Sequence, residues 1–224
     1  MTFSLAARCA RTGQFGVVIS SSSPAVAARC AWVQSEIGAA CTQNITDPRL
    51  GPALLAELAD GASASAALDA VVRKASYSQH RQLSVVSAAG DVAVFSGTHT
   101  LGVHASATGE GAVACGNLLA DPGVPAAMIA AFEADPEADL GDRLLAALVG
   151  ALDAGGEAGP VHSTGLLIAE DQAWPLTDLR VDWHDDPVGQ LQAAWAVWKP
   201  QAHEYVGRAL NPAQSPSYGV PGDQ

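Results

Sequence analysis

The sequence is short of charge, of basic residues, of aromatics and of cysteine, and it has no long apolar run. Only 15% of its 224 residues are charged while 49% are hydrophobic, which excludes a disordered tail protein and supplies one sizeable core. The 11 Lys and Arg face 23 Asp and Glu, a formal charge of −12, and the pI is near 4.6. A field of that sign repels phosphate backbones and anionic head groups, so neither nucleic acid nor a membrane surface is an expected partner. The longest apolar run, Leu144 to Leu152, falls far short of the ~20 residues that span a bilayer. The opening MTFSLAARCARTG lacks a charged stretch followed by an apolar one, so no secretory signal is read and a cytoplasmic location is expected. Cys9, Cys30, Cys41 and Cys115 lie far apart with no CxxC pair; in a reducing compartment they are small buried hydrophobes, not bridges or zinc ligands.

What is present has period two at the start. Thr2 to Cys9 alternates Phe3, Leu5 and Ala7 with Thr2, Ser4, Ala6 and Arg8, and after a turn at Thr12-Gly13 the β-branched FGVVIS run returns as the second strand of a hairpin. A strand is expected over Ile37 to Gln43, broken by NITDPRLGP. Leu54 to Ala59 and a segment capped by Ser63 read as two helices; Gln82 to Ser87 and Val92 to Ser96 form a second hairpin. Gly111 to Cys115 makes a strand ending at Gly116-Asn117, and Thr108 to Gly111 reads as a turn into it. Val124 to Ala134 and Leu140 to Ala154 are apolar-striped helices. Ser163 to Ala169, Trp174 to Leu176 and Leu179 to Val181 are the last strands, before a helix over Val188 to Trp198. Strand blocks built of hairpins favour an α+β architecture of antiparallel sheets covered by helices over a doubly wound parallel sheet. One domain is expected over residues 1–210, followed by a mobile Pro/Gly/Ser-rich tail over 211–224.

The familiar catalytic signatures GxSxG, Walker loop, HExxH and GxGxxG are missing. Thr2 is notable for its position. Initiator methionine is removed ahead of small residues, and a threonine so liberated holds its α-amine beside its own hydroxyl. With an ordinary pKa of ~7.7 to 8.0, that amine can take the hydroxyl proton, so one residue supplies nucleophile and base. Thr2 equally fits a β-favouring residue at a frayed strand end. Pairing across the Thr12-Gly13 turn brings Ser20 to Ser22 opposite Thr2 to Ser4, which clusters hydroxyls of Ser21 and Ser22 near the chain start, although four serines before Pro24 also make an ordinary loop. Asn117 can aim amide donors at an oxyanion or simply form a Gly-Asn turn. Arg81 can hold a substrate carboxylate or bridge to a neighbouring acid. The DWHDD segment, Asp182 to Asp186, has enough oxygen and nitrogen for a weak cation site, but reads better as an acidic loop capping the next helix. His99 and His104 do not read as a chelating pair, and no metal or other cofactor is expected. Trp183, Trp195 and Trp198 read as packing anchors under the last helix.

The ordered series Thr2 to Arg8, Thr12-Gly13, Phe15 to Val18, Pro24-Ala25-Val26, Trp32, Gly38 to Gln43, Gly51-Pro52, Arg81-Gln82-Leu83, Gly97 and Cys115 to Leu119 resembles the bacterial family called domain of unknown function 1028. The resemblance runs over roughly the first 185 residues. Members of that family are placed among the N-terminal-nucleophile (Ntn) hydrolases, which implies a four-layer αββα sandwich of two stacked antiparallel sheets between helices. It implies Thr2 as the attacking residue and makes Thr42, Gln43 and Asn117 pocket lining. The family pattern often has a basic residue where Ser22 stands, so no anion-binding role is carried over to that position.

Two functions follow as expectations. One is a small-molecule amidohydrolase in which Thr2, freed of Met1, attacks an amide carbonyl, with Ser21, Gln43 and the backbone near Asn117 steadying the oxyanion. The other is a catalytically inert protein of the same fold that binds a small metabolite or a partner. Ala-rich helices, with side chains small enough for close approach, suit a homo-oligomer under either reading.

Overall fold

The computed structural model describes residues 2–222; Met1, whose removal the first reading needs, and the last two residues of the expected tail lie outside the described residues. The chain opens with β1 (Thr2–Arg8), and the expected hairpin closes onto β2 (Phe15–Ser21). Its register pairs Phe3 with Ser20, which sets Thr2 beside Ser21. A short helix α1 (Ala27–Cys30) leads to β3 (Ala31–Gln34), and β4 (Gly38–Asn44) follows. Helix α2 (Leu50–Ala59) begins within the stretch read as a break, because Pro52 occupies its first turn, where a missing N–H costs nothing. In α3 (Ala64–Lys74) the Ser63 hydroxyl accepts from Ala66 N, the cap expected of it. Strands β5 (Arg81–Ser87) and β6 (Val92–Ser96) form the second hairpin.

Strand β7 (Ala105–Gly109) takes in residues read as a turn, and β8 (Ala112–Asn117) extends through Gly116-Asn117, also read as a turn. Both are corrections. A run of Ala, Ser and Thr carries little β signal of its own, and Asn117 stays extended because it pairs with Thr2. Helices α4 (Val124–Glu133) and α5 (Leu140–Asp153) precede β9 (Ser163–Ala169) and β10 (Thr177–Val181). Trp174 to Leu176 lies outside any strand. In α6 (Pro187–Trp198) the Asp186 carboxylate accepts from Gly189 N, the capping role read from the acidic loop. The further helix α7 (Ala202–Leu210) follows, held where Tyr205 stacks on Trp198 with ring centroids 5.1 Å apart.

The strands make a six-stranded sheet in the order β10-β9-β2-β1-β8-β7 and a four-stranded sheet in the order β3-β4-β5-β6, with antiparallel pairings throughout. The outer face of the larger sheet carries Phe3, Leu5 and Val18 against Met128, Phe132, Leu144, Leu148 and Leu191 of α4, α5 and α6. Each large side chain so buried stabilises the fold by roughly 1.5–3 kcal/mol. The smaller sheet packs Ala40, Leu83 and Val85 against Leu54, Leu58 and Leu68 of α2 and α3. Between the sheets lie Ala6, Phe15, Val17, Ile19, Cys41, Val86 and Leu167. The layering is therefore the four-layer αββα sandwich. The small residues Ala127, Ala131 and Gly150 bring α4 against α5: a Cβ added at Gly150 would stand 2.8 Å from Ala131 Cβ. All four cysteines are buried and free. Of the three tryptophans read as anchors, Trp195 is buried, whereas Trp183 is 59% exposed and stacks on His162.

Candidate active site at the chain start

Strand alternation gives the inter-sheet layer two unlike ends. Ala6, Val17, Ala39 and Val86 fill one end, and the side chains of Thr2, Ser4, Ser21, Gln43, Gln82 and Asn117 occupy the other, all buried. So many polar groups can leave water only by satisfying one another, and they do so across the gap between sheets. Ser4 Oγ donates to Gln43 Oε1 at 2.7 Å, Gln43 Nε2 donates to Gln82 Oε1 at 2.8 Å, and Asn117 Nδ2 donates to the same Gln82 oxygen at 3.1 Å.

Two backbone carbonyls fix the orientation of every amide in this chain. Gln82 Nε2 donates to Gly116 O at 3.0 Å and Gln43 Nε2 to Cys115 O at 3.2 Å, so neither nitrogen can be an oxygen. The other end of Gln82 must then accept, and Asn117 must turn its nitrogen towards it. That leaves Asn117 Oδ1 buried with no hydrogen-bond partner among the described residues. An orphaned acceptor of this kind costs ~1–3 kcal/mol until a donor arrives.

Thr2 heads β1 beside this cluster. Its Oγ1 donates to Ser21 Oγ at 3.3 Å, and Ser21 Oγ accepts from Ser23 N at 3.0 Å. Thr2 is 5% exposed. The structure thus brings Thr2, Ser21, Gln43 and Asn117 of the expected site together. Gln43 and Asn117 have their amide nitrogens committed within the cluster, so Asn117 presents an acceptor where the oxyanion reading needs a donor. Ser22 contributes its backbone N–H, which points at Glu157.

Thr42 and Arg81 stand on the opposite face of their strands. Thr42 Oγ1 donates to Asp47 O at 3.2 Å, and Arg81 Nη1 donates to Ile45 O. Nearby, the Arg49 guanidinium hydrogen-bonds Asp47 and holds its carboxyl down at about 2. His99 and His104 lie in the loop between β6 and β7, where His99 meets His80, ring nitrogens 3.3 Å apart. Among the described residues no group of three or more His, Cys, Asp or Glu side chains is arranged to hold a metal ion.

Sequence reasoning missed Ser4, Gln82 and Glu157. The first two were legible from the same alternation that placed Thr2 and Gln43 on inner faces. Glu157 was not: it lies in the DAGGEAGP loop, and only folding buries it, to 5% exposure. Its carboxylate accepts from Ser22 N at 3.1 and 3.2 Å. Burial raises its pKa from an ordinary 4.5 to about 7, against the opposing pull of the Ser22 hydrogen bonds and the charge of His162. It lines a cavity of about 280 Å³ with Leu152, Pro160, Val161, Asp185 and Val188. A larger cavity of about 590 Å³ opens at the far end of β1, around Arg8, Arg11, Glu133 and Arg143.

Two antiparallel sheets between helix layers, with Thr2 buried on the inner face of a central strand, define an αββα sandwich protein. The chain belongs to the family described as Family of unknown function (DUF1028), whose model matches residues 2–191. It is similar to the crystal structure of protein SPO2555 from Silicibacter pomeroyi, of the same family, at 29% identity and a TM-score of 0.83, over 91% of this chain and 89% of that one. Remoter likenesses are the Anbu (Gly-1) mutant from Hyphomicrobium sp. strain MC1, at 13% identity and a TM-score of 0.43 over 91% and 96% of the two chains. Another is Anbu (ancestral beta-subunit) from Yersinia bercovieri, at 11% identity and a TM-score of 0.39 over 97% and 100%. No curated protein matches the chain.

Proposed function

We propose that the protein is an N-terminal-nucleophile amidohydrolase acting on the C–N amide bond of a small molecule. The observation that carries this reading is the place of Thr2: a hydroxyl at the head of a central strand, 3.3 Å from Ser21 Oγ, beside a buried amide oxygen of Asn117 that lacks a donor among the described residues. Cleavage of the bond between Met1 and Thr2 turns the Thr2 nitrogen from an amide into an amine. The amine takes the Oγ1 proton as Oγ1 attacks the carbonyl carbon, then returns a proton to the leaving nitrogen, and water resolves the ester. Asn117 Oδ1 accepts an N–H of the bound substrate. Gln43 and Gln82 position Asn117 and do not reach the substrate. The formal charge of −12 favours neutral or cationic substrates.

The test is the intact mass of protein from its native host together with turnover of a panel of small amides by the parent, Thr2→Ser and Thr2→Ala. Loss of Met1, retained activity in T2S and loss of at least ~10³-fold in T2A are expected. A retained Met1 with full turnover ends the reading. The 5% exposure of Thr2 favours a second reading, an inert member of the fold that binds a metabolite at the same place; saturable binding without turnover, indifferent to T2A, would select it. A homo-oligomer and a cytoplasmic location complete the proposal, the first checked by mass in solution.

A further inference from the structure

A distant loop approaches the head of β1. Strand β1 runs between β8 and β2, with Thr2 opposite Asn117 on one side and beside Ser21 on the other. Past Asn117, Leu119 pairs antiparallel with Glu157, Ala120 N donates to Gly156 O at 3.0 Å, and Ala158 N donates to Leu118 O at 3.0 Å. The opposite edge of this segment is already taken, because Leu118 N and Leu119 N donate to Leu101 O and Val103 O on the way into β7. Residues 156–158 therefore lie on the β1 side of β8. On the β2 side, Ser22 N donates to the Glu157 carboxylate. Glu157 thus stands between the segments that follow β8 and β2, close to the start of β1. A Cβ added at Gly156 would stand 3.7 Å from the Phe3 ring, which places this segment at the start of β1 independently.

We infer that Glu157 is the positioning residue that receives the liberated α-amine of Thr2. The inference rests on the proposed cleavage before Thr2. A freed strand end carries an ammonium directed along its own lane, and the group in that lane is a buried carboxylate already fixed by Ser22. The exchange is balanced: the ammonium gives one proton to the carboxylate, leaving a neutral amine and a carboxylic acid, and the charge of the pair is zero in both forms. The amine is then free to accept the Thr2 hydroxyl proton. Burial raises Glu157 towards the range in which α-amines titrate, so the proton can be shared between the two groups. The other titratable groups here are Asp185 and Asp186, which line the same cavity, and His162, whose Nδ1 stands 3.7 Å from Asp185 Oδ1.

The experiment uses the full chain beginning at Thr2, released from a cleavable leader, and reads the pH of half-maximal acylation of its α-amine by an active ester, followed on the N-terminal peptide by mass spectrometry. Glu157→Gln keeps an oxygen for Ser22 N–H but removes the charge. The midpoint should fall by about one unit, with acylation at pH 6.5 rising about tenfold. An unchanged midpoint overturns the inference. Should E157Q not fold, the parent decides alone: its midpoint should lie about one unit above that of the same chain in urea, and equality overturns the inference. Turnover plays no part in this readout, so failure here leaves the T2A result standing, and the reverse.

Discussion

Asn117 Nδ2 and Gln43 Nε2 both donate to Gln82 Oε1, so that one oxygen ties the two sheets together beside the chain start. Gln82→Leu strips the buried Asn117 Nδ2 of its acceptor and leaves Gln43 Nε2 with only its bond to Cys115. At ~1–3 kcal/mol for each stranded group, the urea midpoint should show a loss of about 2–5 kcal/mol, with the m-value unchanged. Ser96→Ala removes only one outlying acceptor of the cluster and should cost ~1 kcal/mol or less.

The turn that delivers Glu157 depends on two glycines with positive φ, Gly155 at +107° and Gly156 at +58°. The first value lies outside the left-handed basin open to other residues, so Gly155→Ala should cost ~1–3 kcal/mol. Gly207, in α7, has nothing within 4 Å of an added Cβ. Gly207→Ala should therefore stabilise by ~0.5–1 kcal/mol. Thermal melts of the two variants should move in opposite directions.

Stability should fall as pH rises through the range set by Glu157. Its folded pKa of about 7 exceeds the ordinary 4.5, so between those values the folded chain binds more protons than the unfolded chain. The penalty is absent below pH 4.5 and complete above pH 7, on the order of 2–3 kcal/mol. Chemical denaturation from pH 4.5 to 8 should show this component in the parent, and Glu157→Gln should lack it.

Burial pushes the Cys41 thiol up to about 12 and the Cys115 thiol up to about 11. Only thiolate reacts, so iodoacetamide at pH 8 should leave both unmodified in the folded protein for hours and alkylate both within minutes in guanidinium. Peptide mapping checks each site.

Much of the site was legible because a strand writes its facing into the sequence. The alternation of Thr2, Ser4 and Ala6 against Phe3, Leu5 and Ala7 identified the inner face, and the Thr12-Gly13 turn fixed the register that sets Thr2 beside Ser21. The same logic puts Gln43 inside and Thr42 outside, although the resemblance grouped them. Arg81 likewise yields the inner position to Gln82, since neighbours on a strand face opposite ways. Strands β3 and β7 escaped notice because four residues at an edge, or a run of Ala, Ser and Thr, gain their extended form from partners more than from their own preference.

By itself, the sequence determined the hairpins, the helices flanking them, the absence of an apolar span and the threonine at the head of the first strand, all of which follow from local periodicity and composition. Tertiary structure alone decided that the Asn117 oxygen would be left without a donor among the described residues and that Glu157, 155 residues away from Thr2, would be buried against Ser22 N. Hydrogen-bond direction and burial are properties of groups that meet only after the sheets have stacked, so no local pattern encodes them.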